Sequence, residues 1–165
     1  MFRRLSCLLV GLILSGGYLG AAQETDDPWI RGVFTGKSPR AVTMAETDAW
    51  QRASTVAMHT PDSFVLVGSG RSMQPLYAPG AILVLQQFPY ELLERGQTVL
   101  YRNQSRKIVA HVLVAKVRDG WRVAGLNNHD HDMEPVSADN LVGVVIAAFQ
   151  PLPEPARVRV AALSD

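Results

Sequence analysis

The sequence predicts a mainly β fold, a compact domain of mostly antiparallel strands preceded by one helix. Two observations predict it. From Ser63 onward, short β-branched and apolar runs alternate with turn signals such as "APG", "LERG", "RNQS" and "RDG". In addition, the 13 glycines and 10 prolines are spread along the chain rather than gathered in a low-complexity block, as turn punctuation requires. At 165 residues, with 47% hydrophobic and 19% charged content, the chain is long enough to bury a core and has the composition of one globular domain.

The elements follow in order. Residues 1–22, "MFRRLSCLLVGLILSGGYLGAA", place Arg3 and Arg4 before an apolar run that ends in small residues, the layout of a secretory signal with Gly20 and Ala22 at a small-x-small cleavage site. The run from Leu5 to Ala22 is also 18 residues long and would serve instead as a short membrane anchor. Either way the domain is expected outside the cytoplasm, periplasmic or otherwise extracytoplasmic. Cys7, the only cysteine, lies too near the start to follow an apolar lipidation signal, and the chain after it needs no disulfide. Without Arg3 and Arg4, 14 of the 16 basic residues remain against 15 acidic ones, a net charge of −1 that implies no nucleic-acid partner.

Residues 23–60 form an N-terminal segment in which "ETDAWQRASTVAMHT" sets Ala45, Trp50, Ala53, Val56 and Ala57 at helical spacing, predicting a helix over 46–59. Thr60 and Pro61 end it, because the residue before proline is pushed toward extended backbone. Residues 61–165 carry the β-domain, its strands read from "SFVLVG", "AILVLQQ", "QTVLYR", "KIVAHVLVAKV", "WRVAGL", "LVGVVIAAF" and "RVRVAAL". "RDG" is a hairpin turn, and Tyr77, Phe88, Pro89 and Tyr90 are candidates for the edge of a peptide-binding or membrane-facing surface.

One serine, Ser72, stands in the glycine-rich turn "GSGRSMQP" ahead of the strand "AILVLQ". On its own it is a turn residue whose hydroxyl satisfies the local backbone. Together with "PGAILVL", "LERGQTVLYR", "IVAHVLV", "GLNNHDHD" and "LVGVV", however, it resembles in order and spacing the signal peptidase I and LexA-type superfamily of serine peptidases, over roughly residues 64–149. The resemblance implies that Ser72 is the nucleophile and that its general base is His111, 39 residues on. Histidine rather than lysine at that position is similar to the archaeal and endoplasmic-reticulum type of signal peptidase, in which an aspartate completes a triad; the matching position is Asp132. The implied substrate is an exported or membrane-associated protein or peptide, cut without metal or cofactor. Four positions depart from the family pattern: Gly70, Ala81, Val112 and Leu126.

The chemistry suits these residue types. A serine hydroxyl needs a base to take its proton as it attacks a carbonyl. Neutral imidazole does so without burial, whereas lysine must first be strongly desolvated. A carboxylate on the other ring nitrogen selects the tautomer. Gly68 and Gly70 let the backbone turn so that the Ser72 N–H faces a developing oxyanion.

Other readings use the same residues. His111 within an apolar strand also fits a buried structural histidine. His129, Asp130, His131 and Asp132 are metal-ligand types, and with His59 or His111 they would make a metal site; they also fit a polar loop. Lys107 and Lys116 are candidate bases for a Ser/Lys dyad. Lys107 shares the face of His111 on a regular strand but stands about 13 Å from it, and Lys116 points the other way unless a bulge intervenes. A peptide-binding domain that does not cut is the remaining alternative. Spacing alone leaves Asp130 and Asp132 both open as the partner of His111.

Overall fold

The computed structural model describes residues 32–153. The apolar N-terminal run and the "RVRVAAL" strand expected near the C-terminus lie outside the described residues. Within them, strand β1 (Val42–Met44) leads into helix α1 (Glu46–His59), followed by β2 (Ser63–Val67), β3 (Ile82–Gln86), β4 (Thr98–Arg102), β5 (Ile108–Val117), β6 (Gly120–Ala124) and β7 (Leu141–Pro151). A short 3-10 turn, Tyr90–Leu92, lies between β3 and β4.

The seven strands form one sheet, six of them in the order β2-β3-β7-β4-β5-β6, with every pairing on this path antiparallel. The mainly β class with one helix is therefore as the sequence predicts. β1 was not expected. It pairs in parallel with the last part of β7, Val42 opposite Phe149. β7 thus pairs with β3 along one side, while its other side is shared by β4 and β1.

Apolar side chains cover both faces of this sheet, which is why β3 and β4 read as continuous apolar runs rather than alternating ones. On one face Leu83, Leu85, Leu100, Val112 and Val145 pack with Met73 and Tyr77 from the turn before β3. On the other, Val99, Tyr101, Leu113, Trp121 and Val123 form a second cluster, and Ile82, Val84 and Phe149 receive α1. The helix docks through Ala49 and Ala53, both fully buried, whereas Trp50, expected on its apolar face, is 41% exposed. Small residues at the contact let the helix lie close against the sheet, and the large ring is carried to the flank. Glu46 and Asp48 complement the positive N-terminal end of α1. At the other end Ser63 Oγ donates to the carbonyls of Ala57 and Thr60.

The β5–β6 hairpin turns at Arg118 and Asp119, with Val117 opposite Gly120. Gly120 has φ +141°, and a Cβ there would collide with the Val136 backbone, so both conformation and space require glycine. Tyr77, a candidate for an exposed edge, is instead buried and donates its hydroxyl to the Pro39 carbonyl at 2.7 Å.

Candidate active site

The turn that carries Ser72 is fixed from both sides. At its base Gly68 N–H donates to Ala81 O (2.8 Å) and Gly80 N–H to Gly68 O (2.7 Å), closing residues 68–80 into a loop at the ends of β2 and β3. Inside the loop Gln74 N–H donates to Arg71 O and Tyr77 N–H to Met73 O. From across the site Asn127 N–H reaches Ser72 O at 2.8 Å. Among the described residues no backbone carbonyl accepts from the Ser72 N–H.

His111 sits on β5 opposite Val99 and is buried. A buried imidazole needs partners for both ring nitrogens, and His111 has them. Nδ1 lies 2.6 Å from Asp132 Oδ2 and Nε2 lies 3.1 Å from Ser72 Oγ. Because an ionised carboxylate can only accept, the proton belongs on Nδ1, which leaves the Nε2 lone pair to accept from the serine hydroxyl. Asp132 is held in turn by its own N–H, which donates to Val123 O at 3.0 Å. The structure therefore brings together Ser72, His111 and Asp132 from a turn, a strand and a loop.

Asp130 does not join them. "HDHD" runs through bends after β6 rather than along a strand, so residues two apart diverge, and Asp130 is exposed. The metal reading finds no support: His59 is at the far end of α1 with its Nδ1 on Thr55 O, and no group of three or more metal-ligand side chains converges among the described residues. Neither lysine is placed as a base. Lys107 lies just before β5, in a turn closed by Asn103, and its side chain is exposed. A bulge does intervene between Leu113 and Ala115, but Lys116 is exposed and pairs with Trp121 next to the hairpin turn.

Tyr101 on β4 is the residue that sequence reasoning missed. Its hydroxyl donates to Asp132 Oδ2, the oxygen that also accepts from His111. Burial, and then the adjacent Asp132 carboxylate, push its phenol well above the usual tyrosine range, so it stays a protonated donor. In "QTVLYR" it reads as one more apolar strand residue, and its partner is 31 positions away.

Ser72 opens onto a cleft of about 370 Å³. Met73, Tyr77, Leu83 and Leu100 line it, together with the end of β2 and residues 108–110 of β5. Residues 108–111 pair with β4 on one side, whereas β6 begins pairing only at Val112, so this length of β5 has an open backbone edge among the described residues. Of the four departures from the family pattern, Ala81, Val112 and Leu126 are core residues of the cluster beneath the cleft, and Gly70 lines the cleft itself.

No protein-family model and no curated protein sequence matches this chain.

Proposed function

We propose that this chain is a serine endopeptidase resembling the histidine-using signal peptidases, acting on exported or membrane-associated protein substrates. The observation that carries the reading is the unbroken hydrogen-bonded series from Ser72 through His111 to Asp132, opening onto an apolar cleft with a free strand edge. An extended peptide laid along residues 108–111 would gain main-chain hydrogen bonds and present its scissile carbonyl to Ser72.

In the reaction Ser72 Oγ attacks the carbonyl carbon while its proton passes to His111 Nε2. The resulting imidazolium is stabilised by Asp132. The Ser72 N–H, without a backbone acceptor among the described residues, is available to the oxyanion. As the C–N bond breaks, His111 returns the proton to the leaving amine. Water, deprotonated by the same nitrogen, then hydrolyses the acyl-enzyme. The core positions of Ala81, Val112 and Leu126 leave this series intact, so those departures do not favour a non-cutting domain.

A fluorophosphonate probe tests the proposal. The wild type is expected to be labelled covalently and Ser72→Ala, folded by circular dichroism, is not. Equal labelling of the two, or no labelling of either, overturns the assignment. N-terminal sequencing of the protein from an extracytoplasmic fraction tests export: a start at Gln23 means a cleaved signal, a start at Met1 a retained anchor, and recovery only from the cytoplasm refutes both.

A further inference from the structure

The buried tyrosine behind Asp132 has no part in the proton transfers above, yet its hydroxyl is aimed at one particular atom. Tyr101 and His111 lie on neighbouring strands, Tyr101 opposite Val109 and His111 opposite Val99, so both project from the same face of the sheet toward the loop after β6. That loop supplies a single carboxylate oxygen, Asp132 Oδ2, which accepts from His111 Nδ1 and from the Tyr101 hydroxyl. A buried tyrosine needs an acceptor, but a purely structural one would be served by any carbonyl. This one is served by the atom on which the tautomer of His111 depends.

We infer that Tyr101 is a positioning residue that holds the Asp132 carboxylate in place and tempers its charge toward His111; this rests on the Ser72–His111–Asp132 reading. The hydroxyl acts in two ways. It fixes the rotation of the carboxylate, so that Oδ2 faces Nδ1. It also draws on the negative charge of Oδ2, so that the attraction for a protonated imidazole is weaker than for a bare carboxylate. The titratable groups facing this point are His111 on β5, Tyr101 on β4, and Asp132 and Glu134 on the loop. The Glu134 carboxylate is engaged by Gln104 N–H at 2.7 Å and by the Asn140 side chain.

Tyr101→Phe keeps the ring and removes the donor. Without it the carboxylate attracts the imidazolium more strongly, so the acid limb of the pH–rate profile moves up. Turnover falls about 10-fold, the loss expected for one hydrogen bond to a charged group, with KM unchanged. NMR titration of the His111 ring in a Ser72→Ala background reads the same upward shift without any catalysis. An unmoved titration, or an unmoved limb with full turnover, overturns the inference. Should Tyr101→Phe fail to fold, 3-fluorotyrosine at position 101 keeps every contact while making the phenol a stronger donor. The His111 titration is then expected to move down, and no movement or an upward one overturns the inference. Cleavage by Ser72→Ala would refute the peptidase reading alone, because the NMR titration still decides whether Tyr101 acts on His111.

Discussion

Asp132→Asn is the substitution whose cost the structure constrains best. The carboxylate accepts two hydrogen bonds on one oxygen, from His111 at 2.6 Å and from Tyr101, and its side chain is 14% exposed. An amide has the same shape but one accepting and one donating end, and no charge. If the amide oxygen takes the place of Oδ2, both donors remain satisfied and only the charge is lost. A hydrogen bond to a charged group contributes about 1.5–3 kcal/mol, so turnover falls roughly 10- to 150-fold. If the amide turns its NH₂ toward Nδ1, the imidazole adopts the opposite tautomer, Nε2 carries the proton, and the loss approaches ~10⁴-fold. Tyr101 favours the first orientation, since its hydroxyl also needs the oxygen. Asp132→Asn alone is therefore expected near the smaller loss, and Asp132→Asn combined with Tyr101→Phe nearer the larger. The assay is the rate of Ser72 labelling by a fluorophosphonate, or kcat on a cleaved peptide, with Asp130→Asn as the control expected to lose less than about 3-fold. Full activity in Asp132→Asn, or an equal loss in Asp130→Asn, would refute the reasoning.

Three further outcomes are expected. Gly125→Ala sets a Cβ 2.8 Å from His111 Nε2 and 2.7 Å from Asn128 Nδ2; Asn128 can move but the doubly bonded imidazole cannot, so kcat should drop by about 10²-fold in a protein still folded by circular dichroism, and unchanged kcat would show that the ring yields freely. His111→Ala should lose roughly 10²–10⁴ of the rate while Lys107→Ala keeps it, and the reverse result in a steady-state assay would make Lys107 the base. Tyr77 and Tyr101 both have phenols raised above the usual value of 10.0, chiefly by burial. Their neutral forms stabilise the fold fully below that value, and the contribution is lost as pH rises beyond it. Denaturant midpoints should accordingly fall above about pH 10, less steeply for Tyr101→Phe, and parallel pH curves for the two proteins would contradict this.

The bounds of α1 were legible because its ends are local matters: Pro61 dictates one, and the change from polar to periodic sequence the other. Six strands were legible for a similar reason, each being a short β-branched run between turn residues. β1 was not, since three residues carry almost no pattern and their pairing with β7 is a contact at long range. The burial of α1 through Ala49 and Ala53 rather than Trp50 depends on how closely the sheet approaches, which no spacing encodes. Within the site, Ser72 and His111 were singled out by resemblance in order and spacing to the signal peptidase I and LexA-type superfamily, since by residue type alone one reads as a turn serine and the other as a structural histidine. Register in the same resemblance picked Asp132 over Asp130, which spacing alone leaves open and the bends after β6 decide physically, and Tyr101 needed two neighbouring strands to aim at one loop.

The three site residues are far apart in the chain, His111 standing 39 positions after Ser72 and Asp132 a further 21 positions on. A chain synthesised amino end first delivers the serine early, the imidazole much later, and the carboxylate only once the β5–β6 hairpin has been made. The Asn127 link to the serine turn arrives with that same last stretch. The series from Ser72 through His111 to Asp132 is thus completed only once the greater part of the sheet has been made and paired. Until then a nascent copy holds the serine without its imidazole or its carboxylate, and the timing is set by chain order alone.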